Sequence, residues 1–258
     1  MSVRNRPLQG ARRSYPRDTA VTSTRSAGPD RQGLRSPGWF AAWPVLGILL
    51  FLVGALAFGA IAYNVQGQGP LVQLDKSVYR DMYARASSAS PLTMEIMDFG
   101  FFWGKELILV ALPFVALYFL HKRYWQELAM LLVGSGGSSL IWRVLNTWFD
   151  RPRPPAQLGI VVTNPSFPSG HAASALLFYG LLAYLLIPRM PSAFWKWLVG
   201  LTALGAILFT GVSRVYLGGH YLSDVLAGYA QGIAWAGLCF TLIEKFFSQR
   251  RMNHVKER

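Results

Sequence analysis

The stretch FAAWPVLGILLFLVGALAFGAIAY, Phe40–Tyr63, carries no charged side chain. An apolar run of about 18 or more residues is too long for an ordinary core helix and matches the hydrocarbon thickness of a bilayer. Five blocks of the same kind follow, near Met97–Leu120, Trp125–Leu145, His171–Ile187, Phe194–Val212 and Tyr221–Phe246. In hydrocarbon only helices and closed barrels satisfy every backbone N–H and C=O. The sequence therefore predicts an all-α, polytopic membrane protein with six transmembrane helices.

Composition agrees. Of 258 residues 52% are hydrophobic and only 14% charged, against about 25% charged in a soluble domain. The net charge of +13 raises the question of nucleic acid, but the basic residues sit in the tails and in short loops between apolar blocks, as membrane flanks require. No nucleic-acid partner is expected. Cys239 is the single cysteine and excludes an intrachain disulfide. The first apolar block begins near Phe40 and is too long for the apolar region of a cleavable signal peptide.

Residues 1–38 hold eight Arg among Ser, Pro and Gly, a composition that cannot bury enough apolar surface to fold. They are expected to form a disordered basic tail. Residues 39–247 form the membrane domain, and 248–258 a second basic tail. With the N-terminus inside, 17 of the 25 Lys and Arg fall on the inner side. That asymmetry puts both termini in the cytoplasm. Between the first and second spans, Leu71, Leu74, Val78, Met82 and Tyr83 recur at helical spacing, so an amphipathic helix lying in the interface is expected, with Asp75, Lys76, Arg80 and Asp81 off its apolar face. The run Gly134-Ser135-Gly136-Gly137-Ser138-Ser139 in the third block suits close helix packing.

Three polar clusters interrupt the apolar pattern, and the orientation above puts all of them at outer helix ends. They are Asp150-Arg151-Pro152-Arg153-Pro154, Pro168-Ser169-Gly170-His171, and Ser213-Arg214 followed by His220 and Asp224. Arg153 and Arg214 are permanent cations with planar forks suited to phosphate oxygens. Ser169 and Gly170 stand at a helix N-terminus, where free amides favour an anion, and Gly170 leaves room for close approach of a ligand. Of four histidines, His121 and His254 fall in inner basic segments, whereas His171 and His220 share the outer face. Asp224, four residues after His220, would lie on the same helix face and hold one ring nitrogen, leaving the other free to attack. His171 is then placed to protonate the departing oxygen. Singly, each feature has an ordinary structural explanation, such as a turn, a loop arginine or a buried polar pair. A metal site from His171, His220, Asp150 and Asp224 is a rival that the neighbouring arginines oppose by charge repulsion. No metal or cofactor is expected.

Arg153-Pro154, Pro168-Ser169-Gly170-His171 and Ser213-Arg214-x5-His220-x3-Asp224 together resemble the three-part signature of the type 2 phosphatidic acid phosphatases, which include integral membrane lipid phosphatases. The resemblance covers about Leu74 to Phe246. It implies a metal-independent phosphatase with His220 as nucleophile, Asp224 orienting it, His171 as general acid, and Arg153, Ser169, Gly170 and Arg214 as phosphate binders. The family's first part opens with a lysine, and here that position is Asn146, which can donate a hydrogen bond but brings no charge. Arg143 or Lys105 are candidates to supply it. The expected substrate is a membrane lipid phosphate or pyrophosphate of the phosphatidate, phosphatidylglycerophosphate or undecaprenyl pyrophosphate type, cleaved at the outer face of the cell (inner) membrane through a phosphohistidine. Phosphotransfer to a lipid acceptor and non-hydrolytic phosphate or lipid transport are the alternative readings. Oligomeric state is left open.

Overall fold

The structure is a computed structural model and describes residues 43–155, 158 and 163–256. The N-terminal tail expected over residues 1–38 lies outside them. The described residues form eight α-helices: α1 Trp43–Gln66, α2 Pro70–Ser87, α3 Pro91–Gly104, α4 Glu106–His121, α5 Trp125–Phe149, α6 Gly170–Leu186, α7 Ala193–Tyr216 and α8 Leu222–Lys256. A single 3₁₀ turn, Ile187–Arg189, follows α6, and no strand occurs among the described residues. Six spans are long and apolar enough to cross a membrane. The outward faces of α1, α4 and α7 expose Leu56, Phe114 and Trp197, a continuous apolar surface that lipid rather than water can cover. The chain is an integral membrane protein. The basic stretch after residue 247 continues α8 as helix as far as Lys256.

The second span differs from expectation. In place of one helix it is α3 followed by α4, broken at Lys105 with φ −144° and ψ −51°. The break follows Gly104, a poor residue for a helix interior, and α4 restarts with Glu106 in its first turn, where a negative charge suits the helix dipole. Gly104 and Gly100 let α3 press on α7: a Cβ on Gly100 would sit 2.6 Å from Ser213 Cβ, and one on Gly104 would strike the Thr210 methyl.

The α2 helix forms where the amphipathic pattern places it, but a different stripe faces the protein. Val72, Asp75 and Ala86 are buried, Val78 and Met82 pack on Ala172, Val215 and Val225, and Leu74 is exposed. Asp75 therefore points inward, not toward the solvated side.

At the centre stands α6, with Ala172, Ala175, Leu177, Phe178 and Leu181 buried. Small residues let the remaining helices close around it. A Cβ on Gly54 of α1 would lie 2.5 Å from Ala234 N of α8. The glycine-serine run of α5 takes the Trp235 indole against Gly137; its Nε1 donates to Gly134 O at 3.0 Å, and Gln231 Nε2 donates to Ser138 Oγ at 3.1 Å.

Candidate active site

The C-terminal ends of α5 and α7 and the N-terminal ends of α6 and α8 meet at one end of the bundle. Asp150 ends α5 in the left-handed region, φ 41°, which Asp tolerates better than most residues, and the chain turns there into Arg151–Pro154. The α6 helix starts on Ser169, whose Oγ accepts from Ala172 N. The rings of His171 and His220 lie 6.4 Å apart, centroid to centroid.

His220 is 3% exposed, and its neighbours fix its tautomer. Nε2 lies 3.2 Å from Arg153 Nη1. A guanidinium can only donate, so Nε2 is the acceptor and carries the lone pair. Nδ1 holds the proton and donates to Ser166 O at 2.8 Å. Burial lowers the His220 pKa, with Arg153 and Arg214 adding to the fall and Asp224 opposing it. A neutral imidazole with a free Nε2 lone pair is the form that can attack an electrophile.

Arg153 reaches His220 from a carbonyl cradle. Nε donates to Asn164 O at 2.7 Å, Nη2 to Asn164 Oδ1 and Pro165 O at 3.2 Å each, and Nη1 also to Gly219 O at 2.5 Å. Only the Nη1 hydrogen on His220 is free to move to an incoming oxygen without breaking the loop. Burial lowers the Arg153 pKa, while Asp224 works to raise it.

Arg214 is differently held. Its guanidinium stacks 4.2 Å above the Phe101 ring, it is 3% exposed, and its Nε has no hydrogen-bond partner among the described residues. The Phe101 ring also meets His171, centroids 4.8 Å apart, and His171 Nε2 is also buried without a partner among the described residues. Arg214 Nε and, when it carries a proton, His171 Nε2 are buried donors that an anion would satisfy. Among the described residues no three His, Cys, Asp or Glu gather closely enough to hold a metal ion.

Comparisons with known proteins bear on the segment that carries these clusters. Residues 125–248, which carry all three polar clusters, match the model of the PAP2 superfamily. By this segment, just under half of its length, the chain is similar to the PAP2 superfamily. It is similar to phosphatidylglycerophosphatase B of Bacillus subtilis, 37% identical over 130 residues, which is 50% of this chain and 61% of that protein. It is also similar to lipid A 1-phosphatase of Rhizobium johnstonii, 38% identical over 78 residues, 30% of this chain and 28% of that one. The crystal structure of a transmembrane PAP2-type phosphatidylglycerolphosphate phosphatase from Bacillus subtilis superposes with TM-score 0.60 at 28% identity, covering 81% of this chain and 97% of that one. That of Aquifex aeolicus LpxE, at TM-score 0.51 and 21% identity over 67% of this chain and 95% of that one, shares the fold.

Within this PAP2 segment three sequence expectations need correction. Asp224 does not hold the His220 ring as a helical neighbour. The α8 helix begins at Leu222, His220 precedes it in the turn after Gly218 (φ 68°), and helical spacing does not apply. Asp224 Oδ2 stays 3.6 Å from Nδ1 and accepts from Tyr221 N at 2.8 Å, so Ser166 O is the closer ring partner. Gly170 does not leave open space for a ligand, because the Trp142 indole occupies it: a Cβ there would lie 2.8 Å from Trp142 Nε1. Asn146 does not offer its amide to the pocket, since Nδ2 donates to Pro165 O at 2.8 Å and Phe167 O at 3.2 Å. Ser169 is fully buried, its N–H donating to Asp224 O at 2.9 Å; its hydroxyl caps α6. The Gly170 and His171 amides at the helix start have no acceptor among the described residues, which leaves them for an anion.

Sequence reasoning also missed partners of the PAP2 cluster. Arg151, read as a loop arginine, donates to Asp224 Oδ1 at 2.5 Å, to Ser223 Oγ at 2.8 Å and to Asp75 Oδ2 at 2.9 Å. Asp75 also accepts from Ser223 N at 2.9 Å and Ser223 Oγ at 2.5 Å. The available signal was Asp75's position in phase with Val72, Val78 and Met82. Lys105 and Arg143 are both exposed; Lys105 Nζ lies 5.9 Å over the Trp142 ring.

Proposed function

We propose that the chain is a metal-independent phosphatase that removes the terminal phosphate of a membrane lipid through a phosphohistidine. The observation that carries this reading is the His220 tautomer: a Nε2 lone pair facing Arg153, backed by a Ser166 carbonyl on Nδ1. In the first step Nε2 attacks phosphorus, the bond from phosphorus to the lipid oxygen breaks, and His171 gives that oxygen its proton. In the second, water attacks phosphorus, His171 takes the water's proton, the P–N bond breaks and orthophosphate leaves. Arg153, Arg214 and the α6 amides carry the charge that spreads over the equatorial oxygens. General acid catalysis of this kind contributes about 10²- to 10⁴-fold.

Lysines and arginines on the tail side support an orientation with both termini cytoplasmic and this site on the outer face of the cell membrane. In this reading residues 39–247 are the phosphatase unit, flanked by basic tails. A phosphate at headgroup level beside the spans suits a lipid phosphomonoester, and the name of the Bacillus subtilis relative puts phosphatidylglycerophosphate first, ahead of phosphatidate and undecaprenyl pyrophosphate.

The test is phosphate release by purified protein in detergent from a panel of those three lipids, with His220→Ala alongside. At least one lipid is expected to be hydrolysed, with an acid-labile phosphoenzyme trapped during turnover and both signals absent in the variant. Activity that survives His220→Ala removes His220 from the nucleophile role.

A further inference from the structure

We infer that Asp75 and Arg151 are positioning residues that set the charge behind His220, Asp75 supplying the one negative charge that Arg151 would otherwise cancel. The inference rests on the phosphatase reading above.

Arg151 stands between two carboxylates whose side chains are fully buried: Asp75 Oδ2 at 2.9 Å and Asp224 Oδ1 at 2.5 Å. Its guanidinium lies 4.4 Å over the Tyr221 ring, and Ser223 bonds to both Arg151 and Asp75. These contacts leave each charge one place. Burial works against the guanidinium, yet Asp224 and Asp75 outweigh it and the Arg151 pKa rises. One cation is thus shared by two anions. With His220 neutral, the chain His220, Asp224, Arg151, Asp75 carries a net charge of −1. When Nε2 bonds to phosphorus the ring becomes cationic, and the chain becomes neutral.

Without Asp75 the balance reverses. Asp224 and Arg151 would cancel, and a cationic ring would face Arg153 and Arg214 with nothing to offset them. A buried, uncompensated charge is strongly disfavoured. Asp75 comes from α2, far from the three clusters in sequence, so the helix between the first and second spans completes the nucleophile. The groups that act on His220 directly are Asp224 from α8, Arg153 from the loop after α5 and Arg214 from α7, and the ring of His171 on α6 lies 6.4 Å away. Arg151 from the same loop and Asp75 from α2 reach it through Asp224. Asp98 and Glu106, from α3 and α4, act on Arg214.

The experiment is the pH profile of kcat/KM for wild type, Asp75→Asn and Arg151→Gln on whichever panel lipid is hydrolysed, with His220→Ala as control. Asp75→Asn is expected to move the acidic limb to lower pH by about half a unit or more, and Arg151→Gln to move it to higher pH. Asp75→Asn should lower kcat more than it changes KM, because the negative charge is needed once the ring becomes cationic. A mere brace between α2 and α8 would reduce the amplitude and leave the limbs where they are. Unmoved limbs, or shifts of the same sign, overturn the inference. Each variant has its own required sign, so if one fails to fold the other still decides. An inactive wild type or an active His220→Ala would end the phosphatase reading itself; an active wild type with unmoved limbs ends only this inference.

Discussion

The Trp142 indole occupies the place a side chain on Gly170 would need, and its Nε1 donates to Pro168 O at 3.1 Å. Trp142 thus clamps the start of α6 from α5. Gly170→Ala puts a methyl 2.8 Å from the ring, and overpacking of this kind costs about 1–3 kcal/mol. The ring or the loop must shift, and His171 is the next residue. A lowered melting temperature in detergent is expected together with a fall in kcat. Unchanged kcat at lowered stability would show that the clamp does not set the position of His171.

Asn146 works on the same loop from below. Its two amide hydrogens hold Pro165 O and Phe167 O, and Asn164 Nδ2 donates to its carbonyl at 3.2 Å. Asn164 in turn cradles Arg153. Asn146→Ala leaves buried carbonyls unpaired, at a cost of about 1–3 kcal/mol, and frees the Arg153 cradle, so kcat/KM should fall with stability. Asn146→Lys should fall as well, because the longer stem does not fit a buried position where a short amide bridges the two carbonyls. Activity gained by the lysine variant would mean that the position faces the phosphate.

The six spans were legible because long apolar blocks with few charges have few alternatives in a chain of this length. The polar clusters were legible because charged groups near a membrane are costly and cannot be scattered there without a use. What stayed hidden depends on exact phase and on helix starts. Asp75 was assigned to the solvated side because a carboxylate on an amphipathic helix usually is, and only the partner Arg151 makes its burial affordable. His220 and Asp224 were placed on one helix because four residues separate them, yet the helix begins at Leu222. The break at Lys105 falls where Gly104, Lys105 and Glu106 interrupt the apolar run, a signal that the reading as one continuous span passed over.

His220 titrates below the ordinary histidine range, chiefly through burial, with Arg153 and Arg214 contributing. A neutral ring is required for attack, so kcat/KM should hold as pH falls past about 6.5, the value of a free histidine, and drop only when pH passes the lower folded value. Stability has its own sign. The unfolded chain takes up the proton first, so this group makes unfolding easier as pH drops below about 6.5. A pH series of activity and of melting temperature on the same preparation checks both. An acidic limb above 6.5 would contradict the burial of the ring.

Arg214 is the site's uncommitted guanidinium, stacked on Phe101. Arg214→Gln should cost about 10²- to 10³-fold in kcat, the scale of a lost oxyanion donor. Phe101→Leu keeps the charge and loses the stack with both Arg214 and His171, so a smaller fall is expected. Steady-state kinetics in detergent separate the two. Equal losses would mean that the ring, not the guanidinium, does most of the positioning.

Lys105 and Arg143 are the two cations that could replace the charge absent at Asn146, and the structure separates them. Lys105 stands at the break between α3 and α4, four residues after Phe101, with Nζ 5.9 Å over the ring of Trp142. With Ser138, Ser139 and Ser174 it bounds a cavity of about 130 Å³ whose far wall is Ile108, Leu112 and Leu177. Ser174 lies three residues beyond His171 on α6. Arg143 is exposed on α5, as Lys105 is at its own position, so the Trp142 contact and the cavity are what set the two apart. Lys105→Ala should therefore lower kcat/KM by about tenfold, the worth of roughly one partly screened charge contact, with Lys105→Arg keeping most of the activity. Arg143→Ala should leave turnover within about twofold of wild type, as surface substitutions usually do. The reverse ranking would move the missing charge to the α5 face and detach Lys105 from the phosphate.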